Sequence, residues 1–161
     1  MKSLRPLVLA LSFAVLAVAA LTVPAQAQDR EVPYWAVLRF DEVNMRVGPS
    51  EAYRIAWVYR RQGLPVRVLR LREGWRLVQD HEGEQGWIAS SQLRLARGVL
   101  VTGEGHADIR AEASPQSSLR WRAEPGVVGA LLGCEQGYCE VDIAGRTGWI
   151  AENRLWGAGE P

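Results

Sequence analysis

Gly86-Trp87-Ile88-Ala89 and Gly148-Trp149-Ile150-Ala151 are the same four residues at two places in a chain of 161, and each tryptophan is followed six residues later by a leucine, Leu93 and Leu155. A glycine-tryptophan-apolar tetrad that ends two successive blocks predicts two copies of one small unit. The blocks line up around it. Val43-Asn44-Met45-Arg46-Val47 matches Ala107-Asp108-Ile109-Arg110-Ala111, apolar and polar by turns, which is the period of a half-buried strand. Eleven residues on from Arg46 and from Arg110 stand Trp57 and Trp121. Gly74-Trp75 then matches Gly137-Tyr138, and Glu82-Gly83 matches Ala144-Gly145. Backwards, Tyr34 to Leu38 corresponds to Gly98 to Val101 as an opening strand. The second copy is shorter by one residue before Gly126 and by another before Gly145, and turns tolerate such deletions.

The copies therefore span 34–95 and 98–156, with 157–161 expected as a flexible tail. Ala96-Arg97 leaves almost no linker, so the copies are expected to pack together. Within the first, Gly48-Pro49-Ser50 marks a turn, and Ile55, Trp57 and Tyr59 alternate along a second strand matched by Leu119, Trp121 and Ala123. Gly63-Leu64-Pro65 opens a third strand; Trp75 to Asp80 and Gly86 to Ala89 are two more, with a hairpin turn at Glu82-Gly83. Ser90 to Leu93 and Glu152 to Leu155 read as short helical turns that return a leucine to the core. Five or six short strands in about 60 residues, with frequent turn signals, predict an all-β chain of two small barrels or sandwiches.

Apolar residues make up 48% and charged residues 23%, a globular composition, and a net charge of +1 gives no reason to expect nucleic-acid binding. Lys2 and Arg5 precede an apolar run from Leu7 to Val23, and Ala25-Gln26-Ala27 has the small-x-small cleavage pattern. Residues 1–27 are predicted to be a signal peptide cleaved after Ala27; an uncleaved membrane anchor is the competing reading. Export places Cys134 and Cys139 in an oxidising compartment, which favours a disulfide. Free thiols, or half of a zinc site with no histidine nearby, are the alternatives. No cofactor and no metal are expected.

Asn44-Met45-Arg46-Val47-Gly48-Pro49-Ser50, Gly74-Trp75 and Gly86-Trp87-Ile88 together resemble the bacterial SH3-like domain, also called SH3b. The second copy keeps Asp108-Ile109-Arg110 and Gly148-Trp149-Ile150 but has Glu112-Ala113-Ser114-Pro115 in place of Gly-Pro-Ser. The whole resembles tandem SH3-like exported proteins of Gram-negative bacteria. The resemblance implies two SH3-like β-barrels in the periplasm, serving as a cell-wall-targeting or envelope protein-interaction module.

Catalytic patterns are not evident. His81 lies in a turn and His106 in a loop, the two cysteines read as neighbours on a hairpin, and no nucleophile elbow, zinc-protease helix motif or phosphate loop is present. Of the seven tryptophans, Trp87 and Trp149 are expected to fill the cores. Trp57, Tyr59 and Trp75 are the candidates for exposure, because the other faces of their strands already carry apolar residues; aromatic faces stack on sugars and extended peptides. Arg61 and Arg76 belong to an arginine cluster that gives 41–95 a net charge of +2, against −3 over 104–156. Ligand-binding candidates are thus Trp57, Tyr59, Trp75, Arg61 and Arg76. The expected function is non-catalytic binding of peptidoglycan or of an envelope protein or peptide, with no nucleic acid and no membrane partner once the signal is cleaved. An adaptor for a periplasmic enzyme or transport complex is the alternative, and a small cell-wall hydrolase the remotest one.

Overall fold

The computed structural model describes residues 30–161, so the expected signal peptide lies outside the described residues. The first copy runs β1 (Tyr34–Leu38), β2 (Val43–Arg46), β3 (Ile55–Tyr59), β4 (Pro65–Arg72), β5 (Trp75–Gln79), β6 (Gln85–Ala89) and β7 (Leu93–Arg94). The second runs β8 (Gly98–Val101), β9 (Ala107–Arg110), β10 (Leu119–Ala123), β11 (Val128–Glu135), β12 (Tyr138–Ile143), β13 (Arg146–Ala151) and β14 (Leu155–Trp156). The sheet orders, β3-β2-β6-β5-β4-β1-β7 and β10-β9-β13-β12-β11-β8-β14, are one topology written twice. Each copy has seven strands where the sequence predicts five or six. The additional β7 and β14 are two residues long, too short to show a period, and pair with β1 and β8. Single 3-10 turns at Ser90–Gln92 and Glu152–Arg154 precede them, and Leu93 and Leu155 pack against the cores as expected.

Alternate positions fill the barrels. Val43, Met45, Val66, Val68, Val78 and Ile88 bury themselves in the first, and Ala107, Ile109, Val141 and Ile150 in the second. β1 and β8 do not alternate: Ala36, Val37 and Leu38, and all four residues of β8, are buried. A strand covered on both faces is a continuous apolar run, because neither face meets water. Ala36 and Leu38 point into the first core and Val99 and Val101 into the second, whereas Leu100 joins the core of the first copy. Gly98 permits this approach: a Cβ there would lie 2.6 Å from Val37 Cγ1 and 2.9 Å from the Gly63 carbonyl oxygen.

Two tryptophans hold the junction. The rings of Trp35 and Trp156 meet edge to face, centroids 5.0 Å apart at 87°. Trp35 Nε1 donates to the Gly159 carbonyl at 2.8 Å, and Trp156 Nε1 to that of Pro65 at 3.3 Å. Arg97 donates to the carbonyls of Gly157, Ala158 and Gly159. The expected flexible tail over 157–161 is corrected for its first three residues, which these bonds hold against the barrels; Ala158 is buried.

Cys134 and Cys139 are a cross-strand pair on β11 and β12 and are joined in a disulfide, as the exported reading favours. Among the described residues no helix is long and apolar enough to cross a membrane.

Because Leu100 belongs by sequence to one copy and by packing to the other, Leu100→Ala should lower the stability of the protein by about 2–5 kcal/mol and keep a single urea transition. Two separated transitions in the unchanged protein, followed by tryptophan fluorescence and far-UV circular dichroism, would contradict the shared core.

Candidate functional site

β3 ends the first sheet, paired only with β2. Its register sets Trp57 opposite Met45 and Tyr59 opposite Val43, so both aromatics face the same side as buried residues. Their depths differ. Tyr59 is 6% exposed, inside the core, whereas Ile55, Ala56 and Trp57 run out past the barrel wall and Trp57 is 58% exposed. The expected exposure of Tyr59 is therefore corrected. Trp57 lines a cleft of about 310 Å³ with Met45, Ala56, Asp80, Glu82, Glu84 and Gln85.

Below the cleft, Tyr59 and Asp80 form a buried polar link. The Tyr59 hydroxyl donates to Asp80 Oδ2 at 2.8 Å, and Oδ1 accepts the backbone N–H groups of Glu82 and Glu84, each at 3.0 Å. Asp80 is 4% exposed, and these three donors offset the cost of burying its charge. They also shape the His81-Glu82-Gly83 turn, so that the backbone around Glu82 and Glu84 is fixed from within. Burial above all, then the hydrogen bond to Asp80 and the charges of Asp80, Glu82 and Glu84, push the Tyr59 phenol well above its ordinary 10.0.

The other expected binding residues do not gather here. Trp75 is half-buried at the start of β5, four extended residues or ~13 Å from Gln79 at its far end. Arg76 donates to the carbonyls of Arg72 and Trp75, and Arg61 donates to the Gly126 carbonyl of the second copy. Trp57 alone of the five lines the cleft.

The core placement expected of Trp87 and Trp149 is also corrected: both are half-buried, and neither belongs to a core. Ile88 and Ile150 are the inward residues of the tetrads. Gly86 and Gly148 share that inward face, where a Cβ would come within 2.5 Å of Met45 Cγ and of Ile109 Cγ2. Trp87 and Trp149 thus face outward, opposite Arg46 and Arg110.

The second copy fills the same place differently. Trp121 stands opposite Ile109, the register of Trp57, and the Arg146 guanidinium lies 4.3 Å from the centre of its ring. Ala123 and Ile143 occupy the positions of Tyr59 and Asp80, so the polar link is absent there. Sequence reasoning passed over Asp80, Glu82, Glu84 and Arg146. The signal available was the reversal of charge between Glu84 and Arg146, each two residues before the repeated glycine.

Tyr59→Phe should cost about 1–3 kcal/mol below pH 10, since it leaves a buried carboxylate one donor short. The unfolded chain ionises this phenol near pH 10 and the folded protein only above that. Tyr59 therefore contributes stability that is present below pH 10 and is lost, by about 1.4 kcal/mol per unit, as the pH rises further. Urea titrations of the two proteins should converge over that range; parallel curves up to pH 11.5 would contradict the assignment.

The bacterial SH3 domain family matches the chain twice, over 40–94 and 103–157. A putative N-acetylmuramoyl-L-alanine amidase of Bacillus subtilis is 26% identical over 137 residues, which are 77% of this chain and 26% of the amidase. The chain thus spans about a quarter of that relative's length. Among solved structures, NlpC2 from Trichomonas vaginalis is 17% identical with a TM-score of 0.36, over 79% of this chain and 49% of its own. An NlpC/P60 family protein from Bacillus cereus is 13% identical with a TM-score of 0.34, over 78% and 57%. The two matches, one within each sheet, cover well over half of the sequence: the chain belongs to the bacterial SH3 domain family.

Proposed function

We propose that this protein is a non-catalytic module that binds peptidoglycan in the periplasm after export. The observation that carries the reading is the docked pair of bacterial SH3 domains with one exposed tryptophan cleft. Membership of the family supports a cell-wall binding role, and the similarity to an amidase named for N-acetylmuramoyl-L-alanine supports the wall as the ligand. Two features favour binding over catalysis. Cys134 and Cys139 are spent in a disulfide, and among the described residues no free thiol remains to act as a nucleophile. His106 stands at the surface, with Glu124 3.7 Å away.

The purified protein should pellet with isolated sacculi and release no soluble muropeptides from them on prolonged incubation. A protein that stays in the supernatant would remove the wall as ligand, and muropeptide release would remove the non-catalytic reading.

A further inference from the structure

We infer that the Trp57 cleft receives the terminal cation of a peptide side chain, and that in the wall this is the side-chain ammonium of a diamino acid in a stem peptide. The inference rests on the reading above for its source of the cation, but its chemistry comes from comparing the two copies. The register places Trp57 and Trp121 at one position of the shared topology, and Glu84 and Arg146 at another. In the second copy the protein supplies its own cation: the Arg146 guanidinium covers Trp121, which is half-buried. In the first, Glu84 replaces that arginine and Trp57 keeps 58% of its surface in solvent.

A ring face attracts a cation through its quadrupole, and carboxylates beside it add a full opposite charge. The first copy offers both without the cation. Glu82 and Glu84 line the cleft and, among the described residues, form no salt bridge. Asp80 contributes charge beneath them while its oxygens are occupied by Tyr59 and the turn. The same carboxylates lie near the Tyr59 phenol and, after its burial and its hydrogen bond to Asp80, add to the opposition to its ionisation. Among the described residues no three acidic, histidine or cysteine side chains converge closely enough to hold a metal ion, so an organic cation resting on the ring fits the arrangement better. An aliphatic side chain ending in an ammonium would lay its methylenes on Ala56 and Met45 and its charge between Trp57 and the two glutamates.

The test is a titration of the purified protein with an acetylated and amidated Ala-Lys-Ala tripeptide, read from the Trp57 indole N–H signal. That signal is assigned by its loss in Trp57→Ala. It should shift with this peptide and stay put with the same peptide acetylated on its side-chain nitrogen. Glu82→Gln with Glu84→Gln should weaken binding at least about fivefold. Glu84→Arg should abolish it by laying a guanidinium on Trp57, in a protein that still unfolds at the original urea midpoint. Conversely, Arg146→Glu should uncover Trp121 and add a second responding indole. Equal response to the acetylated peptide, or an unchanged titration in Glu84→Arg, overturns the cation site. A response to an arginine tripeptide with none to the lysine one overturns the assignment to a wall amine. Sacculus binding that survives chemical acetylation of the wall amines and Glu84→Arg overturns this inference and leaves the wall reading intact. Peptide binding without sacculus binding supports the site and removes the wall as its partner.

Discussion

Leu100 turns away from its own barrel and completes the core of the other, and most of the architecture depends on that exchange. A unit of about 60 residues buries a small fraction of its surface and sits near the lower limit for folding alone. Here the limit is met by sharing. β1 and β8 each spend one face on their own core and the other on the junction, which is why both are apolar throughout. Trp35 and Arg97 then bind the residues beyond β14, and Trp156 donates to Pro65 of the first copy, so that the end of the second copy becomes a strap across the first.

The fold was legible because its two signals are periodic and doubled. Alternation marks strands, and a second copy with the same spacings removes accidental matches. Depth was not legible. Ile55, Trp57 and Tyr59 share one face of a strand, yet the barrel closes over Tyr59 and leaves Trp57 outside. Alternation reports the side of a residue and carries no information on where the wall ends. The outward turn of Trp87 was available in principle: Gly86 and Ile88 flank it on the inward face, and a strand cannot send three successive residues the same way. The general preference of small barrels for a buried tryptophan outweighed that local rule. The strap at 157–159 had no signal, since it is held by its own main-chain carbonyls, which any residue carries.

The candidate site illustrates what a repeated scaffold leaves free. Val43 and Ala107, Met45 and Ile109, Val78 and Val141, and Ile88 and Ile150 keep an apolar core residue in both copies, whereas the hairpin between the fifth and sixth strands of each changes length, charge and internal support. The Tyr59–Asp80 link exists only where two acidic side chains border the cleft, and Ala123 with Ile143 suffices where arginine covers the ring. A buried carboxylate satisfied by a phenol and two amides is a rigid foundation for a turn.

The β1–β8 contact also bears on how such chains are inherited. Gly98 admits no side chain, and Leu100, two residues on, belongs to a foreign core. A recombination event between the copies would give each fragment a barrel with an apolar wound: one without its plug, the other with a leucine in water. Trading one copy for a different barrel would require a matching glycine, a matching leucine and a matching pair of indoles at once. The barrels are separate in sequence and share one topology, and the seam makes them a single packed part.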